Sequence, residues 1–504
     1  LTIKQKKNYK KLVQKNIKFK KNTFKQPKLF YLIFSIEIWE RFGYYGLQSI
    51  FVIYLVKILG LSESSSITLF SSFNALVCGF VSIGGWLGDK ILGTKRVIIL
   101  GTIVLITGYS IIACSEHKIY SVYLGMATIA IGSGLFKANP SALLSTCYNK
   151  EDPKLDSAFT MYYMAINIGS FISMLFTPWI AIRYGWNIAF SLSVIGMIIT
   201  LLNFISFYNI MKKYGSKPDF IKLKLNTLLA VISGIILLIP LSCWLLYHQN
   251  IARIFLILIT IIIFTILIYE TIKLYGISRK RMLAALIMML EAIVFFVLYN
   301  QTPTSLNFFA IHNVETKLFG IYFEPEQYQA LNPLWIIIMS PILAKFYNKT
   351  GNRFPIPFKF AVGMAFCSMS FLILSLGIKL TNDSNIVSIY WLILSYALQS
   401  IGELMISGLG MSMIAKLVPR RLTGFVMGAW FLTTATSAII AGFVANLSVI
   451  PNNLNDPKIS LILYSQVFMK IGIYSGIISI FMLLFARKVI QLLKTKKLNN
   501  QYTK

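Results

Sequence analysis

Glu37, Glu40 and Arg41 stand in a run otherwise dominated by apolar and aromatic side chains, Phe34-Ser35-Ile36-Glu37-Ile38-Trp39-Glu40-Arg41-Phe42-Gly43-Tyr44-Tyr45-Gly46. On a helix the spacing i, i+3, i+4 puts all three on one face, and Tyr44 and Tyr45 continue it one turn on. At the centre of a bilayer each charge costs roughly 2.5 to 3.5 kcal/mol on insertion scales, so the group needs partners and points to a task. A carboxylate beside a guanidinium is held ionised, and a proton arriving there releases the cation to engage something else. Proton binding at a carboxylate paired with a cation is one chemistry that this spacing allows.

Other embedded polar groups enlarge this set. Lys137 lies mid-span in Gly132-Ser133-Gly134-Leu135-Phe136-Lys137-Ala138-Asn139-Pro140, where glycines permit close helix approach and the proline frees a backbone carbonyl. It needs an acid: Glu37 and Glu40 are candidates from the same half of the chain, and Glu403 in Ser400-Ile401-Gly402-Glu403-Leu404 is the candidate from the opposite half. A permanent structural ion pair is the alternative, disfavoured because such pairs stabilise poorly compared with an apolar replacement. Asn167 donates and accepts, which suits either a peptide bond or a neighbouring helix. Asn332, before Pro333, reads equally as part of a kink or as a ligand. Glu291 is a further embedded acid.

The elements that must position these groups are membrane helices. The chain has 504 residues, 56% of them hydrophobic and 13% charged, and a mean hydropathy of +0.70, more apolar surface than a water-soluble protein could bury. Apolar stretches long enough to cross about 30 Å of hydrocarbon recur fourteen times. They fall at 29–57, 67–88, 97–115, 120–147, 158–181, 187–209, 225–247, 251–272, 282–309, 329–347, 358–380, 387–417, 422–447 and 465–492.

The net charge of +31 raises nucleic acid as a partner, but its placement speaks for topology. Residues 1–28 hold eleven lysines and no acid, and most other Lys and Arg fall on every second connection, as on Lys90, Lys95 and Arg96 or Arg279, Lys280 and Arg281. By the positive-inside rule both termini are cytoplasmic. The first apolar segment carries charges and lacks a small-residue cleavage site, so it reads as a span and not as a signal peptide.

The order is six spans, two, then six. It divides the chain into a basic tail (1–28), an N-terminal six-helix bundle (29–209), a linker with two extra helices (210–280), a C-terminal six-helix bundle (281–492) and a second tail (493–504). The middle pair is almost uniformly apolar and reads as structural. Two six-helix halves with polar residues near the midplane suit alternating access.

Enzyme chemistry finds no support. Cys78, Cys114, Cys147, Cys243 and Cys367 form no CxxC pair, and His117, His248 and His312 fall in loops, so neither a metal site nor a cofactor follows. The connection Gly88-Asp89-Lys90-Ile91-Leu92-Gly93-Thr94-Lys95-Arg96 approximates a nucleotide-binding loop, but the Lys-Ser/Thr order is reversed and a membrane helix precedes it. It reads better as a tight turn in which Asp89, Lys95 and Arg96 form a conformational latch in one state. A weaker echo, Asn348-Lys349-Thr350-Gly351-Asn352-Arg353, follows the matching span of the second half.

The run from Glu37 to Gly46, the Gly85-Trp86-Leu87-Gly88-Asp89 turn, Lys137 with Asn139-Pro140, the Phe159–Ser170 segment and Gly402-Glu403-Leu404 resemble the proton-dependent oligopeptide transporters of the major facilitator superfamily. The resemblance runs from about residue 30 to 490, extra helices included, and is of the bacterial dipeptide and tripeptide permease type. It implies a proton-coupled symporter of the inner membrane that imports di- and tripeptides and works as a monomer, with protons as the coupling ion and the lipid bilayer as surroundings. A same-fold carrier of another small anionic or amino-acid-like solute is the alternative. The resemblance further implies that Arg41 and Lys137 take the peptide carboxylate, Glu403 the amino group, and Asn167 and Asn332 the termini or backbone. Tyr45 would line the pocket, and Glu37 and Glu40, with Arg41 and Lys137, would couple the proton. Three positions depart from the family's common pattern. Gln48 stands where many members have a second arginine, Asn300 where many have an acid, and Cys78 where a pocket tyrosine is common. Losing both partners of the Gln48/Asn300 pair is self-consistent, but the extracellular-side gate must then differ.

Overall fold

The computed structural model describes residues 26–148, 154–350, 355–381, 385–419, 422–449 and 457–493. Most of both basic tails, with Lys150, Arg353, Arg420, Arg421 and the 351–354 part of the second connection, lies outside these residues.

Fourteen long helices account for most of the described chain. They are α1 (Lys28–Lys57), α2 (Glu63–Trp86), α3 (Thr94–Ala113), α4 (Ile119–Lys137), α5 (Lys154–Tyr184), α6 (Trp186–Ser206), α7 (Leu225–Tyr247) and α8 (Gln249–Ile272). Then follow α9 (Gly276–Tyr299), α10 (Leu331–Thr350), α11 (Ile356–Lys379), α12 (Ile389–Leu417), α13 (Thr423–Asn446) and α14 (Pro457–Leu493). Thirteen are long and apolar enough to span a membrane. The fourteenth, α1, has 30 residues, about 45 Å at 1.5 Å per residue, and its embedded charges alone set it apart.

The first six helices pack as one group, α1 on α5 and α6, α2 on α4, α3 on α4 and α6; in the last six, α11 packs on α12 and α14, α9 on α13, and α10 on α12. The groups meet along two seams, α2 against α13 and α5 against α10. The middle pair clamps the assembly from outside, α7 on α4 and α8 on α13, and most of its surface is exposed as expected for helices facing lipid. Thr260 of α8 and Thr436 of α13 share a 2.6 Å hydroxyl contact that fixes this clamp.

Two spans that read as continuous are broken. The stretch 120–147 divides at Ala138, with Asn139–Ser145 as a separate short helix, and 282–309 divides between Tyr299 and Ser305. Pro140 and Pro303 lack the N–H that would continue the ladder. Asn139 repairs the first break, its side-chain amide donating to Leu135 O at 2.6 Å and to Gly84 O at 3.1 Å. That second bond needs α2 and α4 almost in contact. Gly84 and Gly134 allow it, since a Cβ on either would collide with the facing backbone.

On the side remote from the termini, side chains tie the two groups together. Gln329 donates to Ser49 O (3.0 Å), Gln327 to Leu175 O (2.6 Å) and Asn446 to Thr68 Oγ1 (3.1 Å). Lys57 pairs with Glu326 (3.8 Å), and Glu63 Oε1 lies 3.3 Å from His312 Nε2. The molecule is closed at that end.

Candidate functional site

Between the two groups lies a cavity of about 270 Å³. Arg41, Tyr45, Lys137 and Asn167 line it from the first group and Asn332 and Glu403 from the second, so the residues singled out from sequence face one space. Glu37 and Glu40 do not line it. They stand behind Arg41, almost wholly removed from solvent.

The two carboxylates differ in their partners. Arg41 Nε donates to Glu37 Oε1 at 2.7 Å, and Tyr162 donates its hydroxyl to Glu37 Oε2 at 2.6 Å, so both Glu37 oxygens are bonded. Glu40 Oε2 lies 3.0 Å from the same Arg41 nitrogen but off the hydrogen-bond direction, and neither Glu40 oxygen has a hydrogen-bond partner among the described residues. One guanidinium therefore faces two acids while bonding only one of them.

Lys137 departs from expectation. It needs an acid by the sequence argument, yet among the described residues no carboxylate lies within ion-pair distance, and its Nζ sits over the Tyr44 ring, 5.5 Å from the centroid. The permanent ion pair is thus not formed in this conformation. The ring's negative face compensates part of the charge, and the ammonium stays available to the cavity.

On the opposite wall Glu403 is held from both groups. Asn332 Nδ2 donates to Glu403 Oε2 (2.9 Å) and to Ser400 Oγ (3.0 Å), and Tyr163, across the seam on α5, donates to Glu403 Oε1 (3.2 Å). Pro333 occupies the first turn of α10, where no intrahelical N–H is missed, so Asn332 belongs to no mid-helix kink. Asn167 uses its amide internally, donating to Tyr163 O at 2.8 Å, and so fixes the backbone that presents Tyr163.

The departures form a neutral link. Tyr44 donates to Asn74 Oδ1 (3.0 Å), and Asn74 Nδ2 donates to Asn300 Oδ1 (2.9 Å), joining α1, α2 and the end of α9; Gln48 and Cys78 line the same region. An amide pair thus closes the halves at Asn300, where the resemblance implies a charged pair in many relatives. Asn74, Tyr162 and Tyr163 were not singled out from sequence, since tyrosine and asparagine are common packing residues. The Tyr162-Tyr163 doublet one helical turn before Asn167 was the available signal.

The three latch residues are not gathered in this conformation. Asp89 is exposed in the turn Leu87–Ile91. Lys95 and Arg96 instead grip the linker after α6: Lys95 Nζ donates to Met211 O (3.3 Å), and Arg96 donates to Pro218 O (3.0 Å) and Ile221 O (2.9 Å). The carboxylate at the start of α3 is Asp219, which accepts from the Lys95 backbone N–H at 3.1 Å. Gly93 precedes it at φ +97°, and a Cβ there would strike Asp219.

The chain has relatives over nearly its whole length. The family model described as PTR2, POT family, matches residues 95–461. Dipeptide and tripeptide permease A of Serratia proteamaculans is 64% identical over 468 residues, covering 93% of this chain and 92% of the relative. The protein of the same name from Yersinia pestis is 64% identical over 469 residues, 93% and 94% of the two chains. Among solved structures, tetrameric PepTSo2 superposes with a TM-score of 0.83 at 35% identity, covering 92% of this chain and 98% of that one. A structure described as giving insight into substrate recognition in proton dependent oligopeptide transporters superposes with a TM-score of 0.82 at 34% identity, covering 92% and 99%.

Proposed function

The chain belongs to the POT family, and from that premise we propose that it is a proton-coupled symporter importing di- and tripeptides across the inner membrane, both termini cytoplasmic. It works by alternating access of the halves 29–209 and 281–492, each protomer acting alone, with 210–280 as the clamp between them. The observation that carries this reading is the two-walled cavity: Arg41 and Lys137 on one side, Glu403 on the other. A short zwitterion needs a cationic and an anionic pole on opposite walls. Arg41 and Lys137 take the carboxylate, Glu403 the amino group, and Asn332, Asn167 and Tyr45 orient the chain between them. Side-chain selection is then loose, since the poles grip only what all peptides share.

Coupling follows from the unequal carboxylates. Glu40 carries no hydrogen bond among the described residues, so a proton there costs only its Coulomb attraction to Arg41; protonating Glu37 breaks a two-sided network. Glu40 is therefore the first proton acceptor. Its neutralisation loosens Arg41 towards a peptide carboxylate. A charge crossing 100 mV is worth about 2.3 kcal/mol, near a fifty-fold gradient.

Uptake of labelled dialanine into proteoliposomes under an imposed pH gradient tests this. Wild type should accumulate peptide only with the gradient, and Glu40→Gln, Lys137→Ala and Glu403→Gln should each lose most of the driven uptake. Gradient-independent accumulation, or unaltered driven uptake in all three variants, overturns the mechanism.

A further inference from the structure

We propose that the groove between α10 and α11 is a binding site for an anionic phospholipid, set against the back of the helix that carries Glu403. Helix α10 packs chiefly on α12 and on α5, while α11 packs on α12 and α14. Consecutive in sequence, the two leave a gap between them whose floor is α12. The gap measures about 390 Å³ and its lining is almost wholly carbon: Ile342 and Phe346 on one wall, Val362 and Phe366 on the other, Ile401 and Met405 beneath. Ile342 and Phe346 are 57% and 45% exposed, so the groove opens outward to lipid and not inward to the cavity.

Its polar end is cationic. Lys359 lines the mouth with its Nζ 3.7 Å from the Tyr347 ring centroid, and Lys345, which precedes the lining residue Phe346 in sequence, is exposed. Both lie towards the end of the bundle that holds the termini, where the basic connections gather. A basic mouth above an apolar slot between membrane helices matches a negatively charged headgroup with an acyl chain beneath it. A zwitterionic lipid fills the slot equally well but gains less from the two ammonium groups.

The register gives the site a consequence. Ile401 and Met405 lie two residues before and after Glu403, about 200° away around α12, so they face the groove while Glu403 faces the cavity. Helix α10, the other wall, carries Asn332, which bonds Glu403. A bound lipid thus touches both helices of the Asn332–Glu403 pair from behind. This functional consequence rests on the transport reading above, whereas binding itself does not.

Native mass spectrometry of the full-length protein, titrated with phosphatidylglycerol or phosphatidylcholine, tests binding. Wild type should retain phosphatidylglycerol at least about tenfold better, since each lysine near the surface contributes roughly fivefold. Lys345→Gln with Lys359→Gln should bring the two lipids level, and Val362→Trp, checked for unchanged melting temperature, should displace both. Equal retention by wild type, or an undiminished preference in the double variant, overturns the site. In proteoliposomes, dialanine uptake should change with phosphatidylglycerol content for wild type and not for the double variant. Identical lipid dependence in both overturns the link to Glu403, while absence of uptake in every lipid counts against the transport reading alone, because retention is measured without it.

Discussion

At the scale of single residues, the informative contrast is between two glutamates three positions apart. Glu37 is bonded on both oxygens by Arg41 and Tyr162, and Glu40 on neither. Breaking a buried, hydrogen-bonded pair costs about 3–5 kcal/mol, more than removing a charge that no donor contacts. Glu37→Gln should therefore lower the melting temperature well below that of Glu40→Gln. Glu40→Gln should keep peptide exchange and lose accumulation against a gradient, a split that exchange and driven uptake in the same vesicles will reveal. The opposite wall offers a binding measurement. Asn332→Ala removes the 2.9 Å donor from Glu403 and the bond to Ser400, and a hydrogen bond to a charged group is worth about 1.5–3 kcal/mol. The half-saturating peptide concentration should rise roughly ten- to a hundredfold, with little change at saturation; an unchanged value would remove Asn332 from the site.

Single elements matter where a helix must begin or stop in a defined place. Helix α3 starts at Thr94 behind Gly93, and its first N–H groups are satisfied from outside the helix, Thr94 N–H by Ser216 Oγ (3.1 Å) and Lys95 N–H by Asp219 Oδ1 (3.1 Å). Such caps stabilise by about 0.5–2 kcal/mol. Asp219→Ala should lower the melting temperature by a few degrees and loosen the grip of Arg96 on the linker, seen as faster proteolysis between 212 and 224; an unchanged digest would show that Asp219 anchors nothing. This cap was illegible in the sequence, because more than a hundred residues separate Asp219 from Lys95 and a lone Asp in a basic linker carries no pattern. The helices themselves were legible, since eighteen or more apolar residues between basic connections have one physical solution in a bilayer. Breaks inside them were not. Pro140 and Pro303 announce a lost hydrogen bond, but not whether a kink or a full interruption results; at Pro140 the break is met by Asn139 donating to Gly84 O across the helix pair. Likewise Arg41, Lys137 and Glu403 stood out as charges among apolar neighbours, while Tyr163, which bridges the halves to Glu403, looked like any aromatic packing residue.

For the whole molecule, the question is what separates the halves at the end remote from the termini. There Glu63 Oε1 lies 3.3 Å from His312 Nε2, Tyr464 Oη lies 3.3 Å from His312 Nδ1, and Lys57 approaches Glu326. Burial and the nearby Lys57 charge together hold the His312 imidazole below its ordinary value of 6.5. Once the halves part, the ring is hydrated and returns towards that ordinary value, so the open form binds the proton more tightly than the closed one. Closure is then at full strength above about pH 6.5 and weakens as the pH falls below it. With both termini cytoplasmic, as proposed above, the sign is useful in an importer driven by protons, because acid outside favours opening to the outside. Spin labels at Ser62 and Lys317, exposed positions on opposite halves, should report a longer distance population growing between pH 7.5 and 5.5. His312→Gln keeps a hydrogen-bonding side chain that does not titrate, and in it the population should no longer respond to pH over this interval. A pH response of equal size in that variant would place the titrating group elsewhere.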